Sequence, residues 1–191
     1  MTRAAVEAAL LAIEPGDDAE RTDRADALTW VRSGVGIWRT AKPATPPEHL
    51  VSYFLLVDPE RERCLLVHHR NAGMWLPTGG HVEPHEDPAA TVRRECREEL
   101  GIEAPLLAGL PSNPLFVTRR TTVGVDAGHV DVSLWYVCHA DATEAGAPIV
   151  PDPAEFHEVR WWGLDEAAAA PPGTTDPNLA RLVAKLPFGC R

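Results

Sequence analysis

The sequence predicts an α+β fold, in which strands flank a central helix and a helical segment precedes them. Short apolar and β-branched runs on both sides of residues 88–100 predict the strands, and apolar residues at helical spacing within residues 3–32 predict the leading helices. A chain of 191 residues with 45% hydrophobic residues can bury one substantial core. We therefore expect one globular domain with an appendage rather than two full domains.

Residues 1–48 are predicted to form the appendage, a helical extension that ends in a proline-rich linker. Two apolar stripes support helices over residues 3–13 and 18–32; they consist of Val6, Leu10 and Ile13, and of Ala27, Leu28 and Val31. The segment "TAKPATPPEH" follows, and its prolines at 43, 46 and 47 exclude regular structure there. The main domain is accordingly expected over residues 49–191.

Four apolar segments of the main domain predict strands. The first two, "LVSYFLLVD" (50–58) and "RCLLVHHR" (63–70), are separated by "PERE" and predict a strand pair. In "HVDVSLWYVCHA" (129–140), strict alternation places Val130, Val132, Leu134, Tyr136 and Cys138 on one face and His129, Asp131, Ser133, Trp135 and His139 on the other. The segment "FHEVRWW" (156–162) predicts a further strand, and a helix is expected near 177–186, after Asp176-Pro177.

The central helix carries an unusual concentration of carboxylates. Asp87 suits the cap, Pro88 the first helical position and Gly101 the left-handed position after the last turn. At spacings of i, i+3 and i+4, three glutamates emerge on one face, beside an apolar stripe: Glu95, Glu98 and Glu99, next to Ala89, Val92, Cys96 and Leu100. Arg94 or a metal ion is expected to offset their repulsion, and oxygen ligands favour Mg²⁺, Mn²⁺ or Ca²⁺. The alternative is an exposed Arg/Glu-rich helix with pairs such as Arg94 with Glu98.

The spacing of residues 80–102 resembles the Nudix box, G-x(5)-E-x(7)-R-E-U-x-E-E-x-G-U with U apolar. The matching positions are Gly80, Glu86, Arg94, Glu95, Cys96, Glu98, Glu99, Gly101 and Ile102. The resemblance implies an α/β/α sandwich with a mixed β-sheet. It also implies Mg²⁺- or Mn²⁺-dependent hydrolysis of a nucleoside diphosphate linked to another moiety.

The same resemblance implies roles for individual residues. Glu95, Glu98 and Glu99 match the metal ligands, assisted by the carbonyl of Gly79, and Glu86 with Arg94 matches a charge pair that braces the loop against the helix. The base that activates water is either a box glutamate, Glu95 or Glu98, or an acid of a later loop. Glu155 resembles that later acid, with Glu158 as second choice and a solvated loop carboxylate as the alternative.

The substrate is expected to be a small nucleotide or another diphosphate. Markers of individual subclasses are absent outside the box, so that only compact size suggests nucleoside triphosphates. Expected substrate contacts are Gly80, His81, His129, Asp131 and Trp135, with Trp135 stacking on a base. For His129, Asp131 and Trp135, a merely solvated strand face is an alternative at least as well supported.

Two other functions on the same fold remain open. One is a Nudix-fold sensor that binds a nucleotide without turning it over, against which the complete box argues. The other is isopentenyl diphosphate isomerase, which needs a catalytic cysteine and a histidine cluster upstream of the box. Only His68 and His69 lie just upstream, without the cysteine motif.

Charge and cysteine usage limit the partners and the compartment. A net charge of −10 argues against long nucleic acids and anionic membranes, and we find no apolar run of membrane-spanning length. The cysteines at 64, 96, 138 and 190 are widely spaced, which suggests buried thiols in a reducing, cytoplasmic setting. Three roles are open to the extension: covering the substrate cleft, supporting a homodimer, or packing on the sheet.

Overall fold

The helices and strands are those of a computed structural model that describes residues 2–42, 44–122, 128–143 and 148–188. In chain order they are α1 (Arg3–Ala12), α2 (Asp18–Arg32), β1 (Glu48–Asp58), β2 (Arg63–His69), β3 (Trp75–Leu76), β4 (Thr78–His81), α3 (Pro88–Leu100), β5 (Phe116–Thr121), β6 (Val130–His139), β7 (Phe156–Gly163), α4 (Leu164–Ala168) and α5 (Leu179–Val183). The strand order is β3-β2-β1-β6-β5, with β4 paired to β1 and β7 paired to β2. The predicted α+β class and the N-terminal helices are confirmed.

The chain divides into two units, and β1, β4, α3 and β6 contribute residues to both. The first unit comprises residues 1–53, 79–92 and 111–136, and the second comprises residues 54–78, 93–110 and 137–191. We describe each unit by itself.

The two N-terminal helices begin at side-chain caps and bury the stripes that the sequence predicts. Asp17 caps α2 by accepting a hydrogen bond from the backbone N–H of Glu20 at 2.7 Å. The stripe residues Val6, Leu10, Ile13, Ala27, Leu28 and Val31 are all buried. An ion pair of 2.7 Å joins Asp23 of α2 to Arg120 of β5, so the helices pack on the sheet of the first unit.

In the first unit, β5 pairs with β6 in a register that places the polar end of β5 opposite the start of β6. β5 and β6 are antiparallel from Phe116 opposite Trp135 to Thr121 opposite Val130. The predicted polar face of β6 is not a solvated face, because Ser133 and Trp135 are as buried as their neighbours.

The second unit contains the predicted strand pair and the last predicted strand. β1 and β2 pair antiparallel from Leu56 opposite Leu65 to Asp58 opposite Arg63, and β2 pairs on its other side with β7. The last helix is shorter than the predicted range 177–186, since α5 covers Leu179–Val183. The sequence did not predict β3, β4, β5 or α4.

Helix α3 begins and ends as its sequence predicts. The Asp87 carboxylate accepts a hydrogen bond from the Ala89 N–H at 2.8 Å. Gly101 follows the last turn with a φ of 68°, a left-handed conformation that favours glycine. Cys96 and Leu100 of the apolar stripe are fully buried. The helix is thereby fixed in rotation, which determines where its glutamates emerge.

No helix among the described residues is long and apolar enough to cross a membrane.

Candidate functional site

The carboxylates of α3 emerge at different depths in the second unit. Glu95 and Glu99 are 9% and 6% exposed, whereas the side chain of Glu98 is 59% exposed. The Arg94 guanidinium donates hydrogen bonds to Glu95 Oε1 at 2.6 Å and to Glu98 Oε2 at 3.0 Å. The predicted compensation of the glutamates by Arg94 is therefore present, and it uses one buried and one exposed carboxylate.

Burial of the Glu95 side chain disfavours its ionised form. Burial is the main cause that raises the pKa of this carboxyl above its usual value; Arg94 opposes the rise, and Glu98 and Glu155 add to it. A further cation at this position would stabilise the ionised form. The donors are all oxygens, which Mg²⁺ and Mn²⁺ prefer, so the residues fit a divalent ion of this kind.

Glu155 lies in a turn that is hydrogen-bonded to the end of α3. The Asp152 N–H donates to the carbonyl of Glu99 at 2.8 Å, and the Val150 N–H donates to the carbonyl of Leu100 at 2.9 Å. The backbone of Glu155 donates to the carbonyl of Asp152 at 3.2 Å. Because Glu155 also raises the pKa of Glu95, the two carboxylates are electrostatically coupled.

Gly79 in the first unit occupies a position that no side chain could share. A Cβ added to it would lie 2.5 Å from the carbonyl oxygen of Ser52 and 2.9 Å from Cα of Tyr53. This glycine is therefore required for the close approach of β4 to β1. Gly80 is the next residue of β4. Coordination of a metal by the Gly79 carbonyl remains a prediction.

Glu86 braces the loop that leads into α3 through contacts within the first unit. Its Oε2 accepts hydrogen bonds from the Thr91 hydroxyl at 2.7 Å and from the Glu83 N–H at 3.1 Å. The predicted bracing role thus has partners that the sequence did not identify. The charge pair of Glu86 with Arg94 remains a prediction.

Three of the expected substrate contacts face one another in the first unit. His81, His129 and Asp131 form a group with His49, and one ligand atom of each lies within 4.8 Å of the others. His49 Nε2 is 3.3 Å and His129 Nε2 is 3.4 Å from Asp131 Oδ1. Sequence reasoning missed His49, because a single histidine at the start of an apolar strand carries no periodic signal.

Burial strongly disfavours the charged form of His81. It lowers the pKa of the imidazole to about 3, with Arg39 as the next cause, Asp131 acting in opposition, and His49 and His129 lowering it further. The imidazole is accordingly neutral at physiological pH and keeps one nitrogen lone pair.

Trp135, the expected stacking residue, has the surroundings of a core side chain. It is 1% exposed, and its indole N–H donates a hydrogen bond to the Thr118 hydroxyl at 2.9 Å. The ring centroids of Tyr53 and Phe116 lie 4.7 and 5.8 Å from its own. In this structure Trp135 presents no open face to a base.

A family model described as NUDIX domain matches residues 47–186 of this chain. The chain is 36% identical over 121 residues to CMP-5'-(N-acetyl-N-hydroxy-3-aminopropyl)phosphonate hydrolase of Streptomyces rubellomurinus, covering 60% of the chain and 52% of that protein. It is 32% identical over 99 residues to NAD-capped RNA hydrolase NudC of Stutzerimonas stutzeri, covering 52% of the chain and 30% of that protein. The chain thus spans about half of the length of the first relative and less than a third of the length of the second.

Among solved structures, a hydrolase of the NUDIX family from Clostridium perfringens superimposes with a TM-score of 0.54. The identity is 21%, and the match covers 72% of this chain and 95% of that one. At this identity the similarity concerns the fold.

Proposed function

The chain belongs to the NUDIX domain family, and we propose that it hydrolyses a diphosphate bond in a nucleoside diphosphate linked to another moiety, with Mg²⁺ or Mn²⁺ as cofactor. The observation that carries the proposal is the carboxylate face of α3, where Glu95, Glu98 and Glu99 follow the box spacing and Arg94 bridges two of them. Glu95 and Glu99 are nearly buried. Burying two carboxylates costs free energy, and a bound cation would offset that cost.

The roles that we propose for these residues follow from their burial and charge. Glu95, Glu98 and Glu99 would hold the ion. When bound, a divalent ion neutralises diphosphate charge and lowers the pKa of a water molecule. Glu98 is exposed, so it can meet a ligand from solvent without rearrangement of the helix.

Two residues compete for the role of base. Glu95 has a raised pKa, and a carboxyl closer to neutral pKa is a better proton acceptor in a reaction near pH 7. Glu155 is exposed and electrostatically coupled to Glu95, so it can accept a proton and pass it to solvent.

The proposed substrate is a small nucleotide or related diphosphate. The Streptomyces relative is named for a CMP-linked phosphonate and the Stutzerimonas relative for NAD-capped RNA; both names contain a nucleotide. A net charge of −10 favours a small ligand over a long nucleic acid. We retain residues 1–48 as an extension to a domain of residues 49–191, with a homodimer and a cytoplasmic location as further proposals.

The isomerase alternative is weakened by the cysteines that the structure describes. Cys64, Cys96 and Cys138 are buried. Burial raises the pKa of the Cys64 and Cys138 thiols to about 12, and a protonated thiol is a poor nucleophile. Cys190 lies outside the described residues.

The test is product release from a nucleotide panel that contains nucleoside triphosphates, CMP-linked compounds, NAD, ADP-ribose and dinucleoside polyphosphates. We expect turnover of one class in Mg²⁺ or Mn²⁺, loss in EDTA, and restoration on adding metal. Glu98→Gln should reduce the rate by orders of magnitude. Glu103→Gln is the matched control, because this exposed carboxylate pairs with Arg97 instead.

Turnover that persists in EDTA, or in Glu98→Gln, would contradict the assignment of the metal site. Binding of a nucleotide without turnover in any metal would favour the sensor.

A further inference from the structure

We propose that His49, His81, His129 and Asp131 form a transition-metal site of the zinc class, separate from the carboxylates of α3. We call these four residues the imidazole site. All four belong to the first unit, and one ligand atom of each lies within 4.8 Å of the others. The proposal reassigns three residues from substrate contacts to metal ligands, and it does not depend on the proposed hydrolysis.

Two of the separations between the donor atoms match those around a tetrahedral ion. With metal-ligand distances of about 2.0–2.1 Å, neighbouring ligands in a tetrahedron lie about 3.3–3.4 Å apart. His49 Nε2 and His129 Nε2 lie 3.3 and 3.4 Å from Asp131 Oδ1. The third nitrogen comes from His81, whose ligand atom lies within 4.8 Å of the ligand atoms of the other three residues.

The outer nitrogens of two histidines are held so that the inner nitrogens can coordinate. His49 Nδ1 lies 2.9 Å from the carbonyl of Pro46; a carbonyl only accepts, so Nδ1 carries the hydrogen and Nε2 of the neutral ring carries the lone pair. The Thr122 hydroxyl donates to the carbonyl of His129 at 3.2 Å and lies 3.1 Å from His129 Nδ1. A hydroxyl that donates to this carbonyl can accept from Nδ1–H, and in that tautomer Nε2 carries the lone pair that coordination needs. Such outer partners are typical of metal-bound histidines.

The inner atoms are buried and poorly satisfied without an ion. His49 is 0% exposed. Within the part of the chain that the structure describes, His49 Nε2 and Asp131 Oδ1 have no hydrogen-bond partner despite their short separation. Leaving buried polar atoms unsatisfied destabilises the folded state, and a cation bound between these two atoms would offset that cost.

The donor set selects the kind of ion and indicates its role. Three imidazoles and one carboxylate favour Zn²⁺ and similar transition metals, whereas Mg²⁺ prefers oxygen ligands and retained waters. Four protein ligands close a tetrahedral site, which is typical of a structural ion. The ligands come from the start of β1, the end of β4, and the start of β6 with the residue before it. A bound ion would therefore link three segments that are distant in the sequence, and one of them, which carries His81, lies within the box.

The test uses the full chain, stripped of metal with a chelator and then titrated with Zn²⁺ and Co²⁺. We expect one tight equivalent of Zn²⁺ by calorimetry, intense visible bands of tetrahedral Co²⁺, and a higher melting temperature with Zn²⁺. His49→Gln and Asp131→Asn should each weaken binding by about 100-fold or more, since loss of even an outer partner costs 10–100-fold. Far-UV circular dichroism of each variant shows whether it has folded.

Two control variants separate this site from others. His139→Gln removes an exposed histidine from the same strand and should bind Zn²⁺ as the parent does. Glu98→Gln should also keep the Zn²⁺ equivalent while losing hydrolysis, so the two proposals fail separately. The imidazole site would be refuted by the absence of a stoichiometric Zn²⁺ equivalent, by weak octahedral Co²⁺ bands in the parent protein, or by unchanged affinity in folded His49→Gln and Asp131→Asn.

Discussion

At the scale of single residues, the same chemical groups serve different purposes according to burial. Glu95 and Glu98 share one guanidinium, yet one is nearly buried and the other is open to solvent. Their difference in depth separates a carboxyl with a raised pKa from one that can meet a ligand directly. Residue spacing in the sequence predicts that the three glutamates share one face of α3. Which of them is more deeply buried depends on the rotation of α3 about its axis, and the spacing does not determine that rotation.

Substitution of single carboxylates can identify the residue that acts as the base. If Glu155 is the base, Glu155→Gln removes the proton acceptor while the metal ligands stay intact, so kcat should fall by about 10²–10⁴-fold with little change in KM. Glu158→Gln, an exposed position on β7, tests the second-choice acid in the same way. Glu103→Gln, an exposed carboxylate that pairs with Arg97, is the matched control. Steady-state kinetics at saturating metal provide the measurement. An unchanged kcat in both Glu155→Gln and Glu158→Gln would assign the base to a box glutamate.

At the scale of secondary structure, the sequence predicted elements whose periodic pattern is long enough to recognise. The helices of the first 32 residues, the strands at 50–58 and 63–70, and α3 all show such patterns. β4 contains "TGGH", in which two glycines leave no alternation to detect, and β5 ends in the polar run "TRRT". β4 is hydrogen-bonded to β1, and β5 is hydrogen-bonded to β6. The pattern of residues in a single sequence does not reveal these pairings.

The histidines show the same limit at the level of a site. The sequence predicts substrate contacts for His81 and for the pair His129 and Asp131, but it does not predict that these residues lie together. The pairing of β1, β4 and β6 brings them to His49. Box residues were predictable because they lie on one helix, whereas the imidazole site exists only through tertiary pairing.

The turn that follows β1 depends on one buried carboxylate, and its contribution to stability should depend on pH. Burial acts to raise the pKa of Asp58, but hydrogen bonds from Ala142 N–H and from Arg61, with the Arg61 charge, lower it overall below its ordinary value of 3.8. A lowered carboxyl pKa stabilises the folded state at pH values above the unfolded pKa. That stability is lost as the pH falls through the folded pKa.

Asp58→Asn should therefore reduce the free energy of unfolding near pH 7 by about 1.5–3 kcal/mol, the range for hydrogen bonds to a charged group. The difference from the parent protein should shrink as the pH falls below 3.8. Urea unfolding at several pH values provides the measurement. Asp165→Asn, an exposed carboxylate at the start of α4, is the control, and a deficit that does not depend on pH would exclude the electrostatic explanation.

At the scale of the whole molecule, the N-terminal residues raise the question of whether they are an appendage or part of a core. The helices α1 and α2 bury their apolar stripes, and Arg120 of β5 reaches the nearly buried Asp23 of α2. The carbonyl of Pro46 also holds the His49 ring that belongs to the imidazole site. These contacts predict that the first 48 residues are integral to the fold of the first unit, although they lie outside the proposed domain of residues 49–191.

A pair of identical substitutions distinguishes the two possibilities. Val31 is 0% exposed on α2, and Val35, just beyond the helix, is 49% exposed. Val31→Asp places a carboxylate in an apolar setting and should destabilise the protein by about 3 kcal/mol or more, whereas Val35→Asp should stay within about 0.5 kcal/mol of the parent. Chemical denaturation followed by tryptophan fluorescence measures both. If the extension is instead a separate appendage, Val31→Asp will leave the main transition unchanged and melt only a minor, earlier one.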